Sequence, residues 1–236
     1  FLLCFSNCKN SNLKDCFSGT GEADSIEYKL NRFTEINLYD EFEVFLFDDS
    51  VYKIKIIADE KYIDKIHHEL NDTVLSVSSE SMCEFMKSKD IVKKVYLYSP
   101  DIRNLFVHGS HSIYSEDTLN YDRFLLRIYG KIAFVDIKVK SYHFFLEQWS
   151  ATGDYYVEGE TVFYTILNHG YSYIYSENLQ ADYVHIRHRS TGDIYVSANE
   201  KIDVYLNETG DIIYEGNPEI TILEQTSSGT IYPNNK

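Results

Sequence analysis

Residues 191–216 read TGDIYVSANEKIDVYLNETGDIIYEG, and the opening TGDIYV returns eighteen positions later, Gly192 to Gly210, as TGDIIY. Gly followed by Asp is turn chemistry, because glycine tolerates φ > 0 and an aspartate side chain reaches nearby backbone amides. The residues after each turn alternate. Ile194 and Val196 oppose Tyr195, while Ile202, Val204 and Leu206 oppose Asp203, Tyr205 and Asn207. Alternation with period two between glycine turns predicts short, half-buried strands.

The turn recurs upstream at Gly170 (GYSYIYS), Gly153 (GDYYVEG), Gly130 (GKIAFVD) and Gly109 (GSHSIYS), with spacings of 21, 23, 17, 22 and 18 from Gly109 to Gly210. Every second interval is steadier: Gly130 to Gly170 and Gly170 to Gly210 are each 40 residues, and Gly153 to Gly192 is 39. Alternating runs such as RFLLRI (123–128) and YVHIRHR (183–189) fill the intervals. A period of about twenty, or a paired unit of about forty, predicts an array in which each unit buries its apolar face on the next. The fold class read from this register is all-β, a single-stranded β-helix. An antiparallel β-sandwich with coincidental glycine spacing is the competing reading. A propeller has too few copies here to close a ring.

Composition agrees with a strand-rich chain. Tyr 21 and Phe 14 stand against Pro 3 and Met 2, and aromatic side chains suit pleated, half-buried surfaces. With 236 residues and 44% hydrophobic content, the chain suits one long domain or two small ones. The net charge of −15 argues against nucleic acid as a partner, since phosphates would be repelled. No apolar stretch reaches the length needed to span a bilayer.

The first residues, FLLCFSNCKNSNLKDC, differ from the rest. Residues 1–23 read as a signal-peptide remnant and linker. Cys8 follows Ser6 and Asn7 after the apolar run, loosely as the lipidated cysteine of a bacterial lipoprotein, with Asn7 where Gly or Ala is usual. The alternative is an ordinary secretory signal cleaved before Asp15. Lipid on Cys8 would be the sole membrane link. Cys4, Cys8 and Cys16 crowd this segment and Cys83 stands alone, without zinc-site spacing, so no metal site is expected. A Cys16–Cys83 disulfide is the less favoured reading.

Residues 24–100 form an opening segment before the glycine turns of 101–232. FTEINLYDEFEVFLFDD and VYKIKIIADE alternate as strands around a DDS turn. In EKYIDKIHHEL, Tyr62, Ile63, Ile66 and Leu70 recur at helical spacing, which predicts one short helix. TVLSVSS and VKKVYLYSPDIRNLFVHGS resume strands, with Pro100 at a turn.

Residues 33–79, from FTEINLYDEF to DTVLSVSS, resemble the opening of the family called putative auto-transporter adhesin, head GIN domain. VYLYSPDIRNLFVHGS (95–110), GDIIYEGNPEI (210–220) and DCFSGTGE (15–22) extend the resemblance over residues 15–232. It implies a right-handed, pectin-lyase-like β-helix and an adhesive role at the cell envelope or outer-membrane surface of an exported protein. The family's Gly-Ser-Gly turns are here Thr-Gly-Asp, Gly-Tyr-Ser or Gly-Lys, which puts any turn-specific function in doubt. The family carries no established catalytic residues, so none transfers.

Polysaccharide lyases and hydrolases on such folds supply the enzymatic alternative, and they need paired carboxylates or a supported base in a groove. The candidates are the turn aspartates Asp154, Asp193 and Asp211, for which local hydrogen bonding is the favoured role. His67 and His68 fall on the expected helix, and His185 and His188 flank Arg187, which disfavours a cation there. By alternation Tyr156, Tyr173, Tyr175, Tyr195 and Tyr205 face away from the core, forming a stripe that could contact a surface glycan or protein. Cross-strand stiffening is the simpler role for the same tyrosines. The expected function is a non-catalytic adhesion module without cofactor.

Overall fold

The computed structural model describes residues 22–80 and 93–234. Cys8, the leader 1–21 and both partners of the Cys16–Cys83 pair lie outside the described residues.

The chain is strand almost throughout. The strands are β1 (Ala23–Lys29), β2 (Glu35–Phe47), β3 (Lys53–Asp59), β4 (Ile66–Asn71), β5 (Val74–Ser79) and β6 (Lys93–Tyr98). They continue as β7 (Asn104–Asn120), β8 (Arg123–Ser190), β9 (Ile194–Leu206), β10 (Ile212–Gly216), β11 (Glu219–Gln225) and β12 (Ile231–Pro233). All 12 belong to one sheet, whose main order is β1-β3-β6-β2-β7-β8-β9-β10-β12.

This corrects the expected right-handed, single-stranded, pectin-lyase-like β-helix. Hydrogen bonding makes a single mixed sheet, with antiparallel neighbours at β1/β3, β3/β6 and β4/β5 and parallel ones from β2 onward. The glycine spacing, read as the pitch of a coil, is instead the sequence offset between parallel neighbours, as in Ile174↔Ile194, Ile194↔Ile212 and Ile212↔Ile231.

The expected helix is also corrected. Only Ile63–Lys65 makes a 3-10 turn, and Ile66–Asn71 is strand. Ile66 and Leu70 lie four residues apart, a spacing that satisfies period two as well as the helical period. The tight turn at Asp72, with φ 56°, then delivers β5 as an antiparallel partner for β4. Tertiary pairing decided between two periods the sequence allowed.

Inward residues of β2 through β10 join one core running from Phe33 to Ile212. Each fully buried Ile or Leu contributes about 1.5–3 kcal/mol relative to exposure. The 68-residue β8 bends back on itself, so that residues about twenty apart stack. Within it the buried rings of Phe124, Phe144 and Tyr164 lie 5.7 and 5.4 Å apart.

Glycine recurs at the turns because backbone approaches backbone. A Cβ on Gly192 would lie 2.4 Å from the Ser172 carbonyl oxygen, and one on Gly210 would lie 2.4 Å from that of Gly192. Neither glycine needs a left-handed backbone; the constraint is room.

Candidate binding face

The outward side of the sheet carries a continuous ladder of aromatic rings. In-register pairs place Tyr98 on Phe47, and Phe45 between Tyr96 and Tyr114, at centroid separations of 4.5, 4.7 and 5.3 Å. The ladder continues through Phe134 to Tyr156, Tyr175 and Tyr195. Tyr156 and Tyr175 are 4.8 Å apart with planes 12° from parallel, and Tyr175 and Tyr195 are 5.3 Å apart at 14°. These spacings follow from the distance between hydrogen-bonded strands, roughly 4.8 Å. Lys53 Nζ sits 4.0 Å over the Tyr98 ring at the far end.

This geometry assigns the rings' faces to one another. Edges and phenol oxygens turn to solvent, with Tyr156 and Tyr173 exposed and Tyr175 and Tyr195 half-buried. Mutual burial pushes the Tyr175 and Tyr195 phenols up, and the charges of Asp154 and Asp193 respectively act in the same direction. Tyr173 joins at the side, 6.3 Å from Tyr175. Tyr205 does not join. It lies under Arg187, 5.0 Å from the guanidinium carbon, and edge-on to His185 at 5.7 Å.

The turn aspartates serve the backbone. Asp193 Oδ1 accepts the Asp211 amide at 2.9 Å, and Asp211 Oδ1 accepts the amide and hydroxyl of Thr230 at 2.8 and 2.9 Å. Asp154, expected in a turn, is instead half-buried within β8, directly after Gly153. The histidines are dispersed. His67 contacts Glu80 at 3.2 Å and His68 packs 4.3 Å from Tyr28. His185 faces outward beside Arg187, whereas His188 is fully buried. Burial pulls His188 and the likewise buried His111 down to about 4. Among the described residues no group meets full hydrogen-bond geometry with either ring, although the backbones of Gly210 and His108 respectively lie close enough to favour the charged form. Gly210 lies against the His188 ring without bonding geometry. Among the described residues, no cluster of three or more His, Cys, Asp and Glu could hold a metal.

A second feature escaped sequence reasoning. Where the sheet turns after β7, an open groove of about 550 Å³ crosses successive layers. Its floor includes Ser141 and Thr161, joined by a 2.9 Å hydrogen bond between hydroxyls. The lining also carries the Lys140–Glu160 ion pair together with Asp122, Tyr142 and Asp182. Asn199 closes the end by donating to Asp182 Oδ1 at 3.0 Å. The signal was present as a spacing, since Asp122, Tyr142, Val162 and Asp182 stand twenty apart.

The all-β sheet thus combines an aromatic outer face with two aspartates, Asp193 and Asp211, committed to its own turns. The family described as putative auto-transporter adhesin, head GIN domain, matches residues 32–218, and the chain belongs to it. Among solved structures, the chain is similar to a putative adhesin of Bacteroides fragilis, at 21% identity and TM-score 0.80, covering 90% of this chain and 97% of that one. It is also similar to a protein of Parabacteroides distasonis described as a putative lipid binding protein, at 18% identity and TM-score 0.67, covering 92% and 98%. A putative adhesin from the same species matches at 15% identity and TM-score 0.62, covering 91% and 98%. At these identities the likeness is one of fold. No curated protein matches the chain.

Proposed function

We propose that the protein is a non-catalytic adhesion module of the cell envelope that meets a surface glycan or protein with the outward side of its sheet. The observation that carries this reading is the exposure of aromatic side chains on that side. Trp149, Tyr156, Tyr173 and Tyr183 are each 40–43% exposed, and Tyr142 and Tyr171 more so. Large aromatic groups with polar tips are favoured contacts at recognition surfaces. Family membership supports the adhesive reading and, with it, export. Asp193 and Asp211, the carboxylates a depolymerising enzyme would use, each commit Oδ1 to a backbone amide, which weighs against that alternative. Its address follows the same reading: lipid on Cys8 would hold residues 24–232 at the envelope as one cooperative unit. Mass spectrometry of the protein from its native host detects that modification directly.

The test is binding of the fluorescently labelled protein to intact cells and to mucin-coated surfaces. Saturable binding that is abolished by periodate or by protease treatment of the target supports the reading and separates glycan from protein. Release of oligosaccharides from the coated surface, lost in Asp193→Ala or Asp211→Ala, would replace it with the enzymatic alternative.

A further inference from the structure

We propose that the corner groove is a binding site for a neutral oligosaccharide, with Tyr142 as the platform on which one sugar ring stacks. This rests on the adhesion reading above and narrows it to one ligand class and one place.

Stacking on a sugar needs a free aromatic face, and the ladder has few to offer, because Tyr156 and Tyr175 cover each other at 12° and Tyr175 and Tyr195 at 14°. Tyr142 is different. It is 56% exposed, and its aromatic neighbour Phe163 meets it at 5.4 Å and 74°. An edge-to-face contact leaves at least one large ring surface open, and that ring lines the groove. Apolar ring area with a polar tip matches the alternation of C–H and hydroxyl groups on a sugar.

The polar lining matches as well. The Asp122 carboxylate and Asp182 Oδ2 supply acceptors, while the Gln180 amide nitrogen and the Tyr142 hydroxyl supply donors. A sugar hydroxyl both donates and accepts, so a wall with both functions at layer spacings of roughly 4.8 Å suits a chain of such groups. A volume of about 550 Å³ accommodates a short oligosaccharide and falls within the size range of ordinary ligand sites.

Charge selects among glycans. Asp122, Glu160 and Asp182 face the groove against Lys140, whose ammonium is already paired with Glu160. Together with the overall charge of −15, this balance repels sulfated and uronic-acid chains and leaves neutral ones favoured.

The experiment is an array of immobilised neutral and acidic oligosaccharides probed with the intact protein, followed by calorimetric titration with the strongest neutral hit. Wild type, Tyr142→Ala, Asp182→Ala and the control Val51→Ala, an exposed apolar residue outside both the groove and the ladder, are compared after thermal melts show that each is folded. The expected result is binding confined to neutral chains, weakened at least tenfold by Tyr142→Ala and by Asp182→Ala and unchanged by Val51→Ala. Glycan binding that survives both groove substitutions, or that is confined to acidic chains, overturns the groove assignment and leaves the adhesion reading intact. Absence of glycan binding from a protein that still binds cells in a protease-sensitive manner overturns the glycan class. Absence of both kinds of binding defeats the adhesion reading itself.

Discussion

Asp193 Oδ1 accepts the backbone amide of Asp211 at 2.9 Å, so the turn aspartate of one layer caps the turn of the next. Asp211 does the same for Thr230. A carboxylate held in this way is a structural brace. Asp211→Ala is expected to cost about 1–2 kcal/mol through the lost hydrogen bonds to Thr230, visible as a lowered Tm, while cell and glycan binding are unchanged. Loss of binding with an unaltered melting curve would assign Asp211 to the site instead.

Gly210 offers a sharper test of the layer spacing. An alanine Cβ there would approach the Gly192 carbonyl oxygen at 2.4 Å and His188 Nε2 at 2.6 Å. The first contact is with backbone, which cannot rotate away. Gly210→Ala should therefore destabilise by about 1–3 kcal/mol, as overpacking does, in a chemical denaturation series. Gly130 provides the control for crowding, since a Cβ there meets nothing within 4 Å, although its φ of 67° still strains an alanine.

Acid should weaken the fold through two buried histidines. His111 and His188 are 4% and 0% exposed, and burial lowers both from the usual 6.5 to about 4. Desolvation dominates at both. At His111 it outweighs the His108 backbone and Asp40, which favour the charged form, with the His108 ring acting on its side, and at His188 it outweighs the Gly210 backbone and Asp211. Between pH 6.5 and 4 the unfolded chain binds protons that the folded chain refuses, so stability falls as pH falls through that window. Each histidine contributes up to about 3 kcal/mol of that loss. Thermal melts from pH 7 to pH 4 should show the decline, and His188→Leu should make it shallower. An unchanged slope in that variant would remove His188 from the account.

The ladder predicts a stability effect. Tyr175→Ala removes two close ring contacts, with Tyr156 and Tyr195, and the more distant one with Tyr173. At about 0.5–1.5 kcal/mol per aromatic pair, a loss of about 1–3 kcal/mol is expected in denaturation.

Much of the strand content was legible from alternation alone. Ile194, Val196, Ile202, Val204 and Leu206 are all buried, as their spacing requires. The all-β class follows from the same pattern, and family membership was readable from residues 33–79 and 95–110. The sheet's pairing was not. Nothing local to β1 announces that it runs antiparallel to β3, and nothing within 60–70 distinguishes a helix from a strand when Ile66 and Leu70 satisfy both periods. Tyr156 and Tyr173 are exposed, as alternation suggests, but the direction of the Tyr156 ring depends on Phe134 and Tyr175, nineteen or more residues away. The groove was invisible for the same reason: Asp122, Tyr142 and Asp182 become neighbours only when residues twenty apart are stacked.

The aromatic ladder also gives this protein an optical signature. Tyr98, Tyr96, Tyr114, Tyr156, Tyr175 and Tyr195 hold fixed mutual angles along one side of the sheet, in a chain with a single tryptophan, Trp149. Rings locked in this way couple their transitions and give strong near-ultraviolet circular dichroism, which vanishes when side-chain packing loosens while the backbone persists. Tyrosine dichroism thus reports the order of the outward surface, and Trp149 fluorescence reports a separate place on it beside His169, 4.7 Å away. A partner that seats on one and leaves the other undisturbed would reveal its footprint in a cuvette, with no label attached.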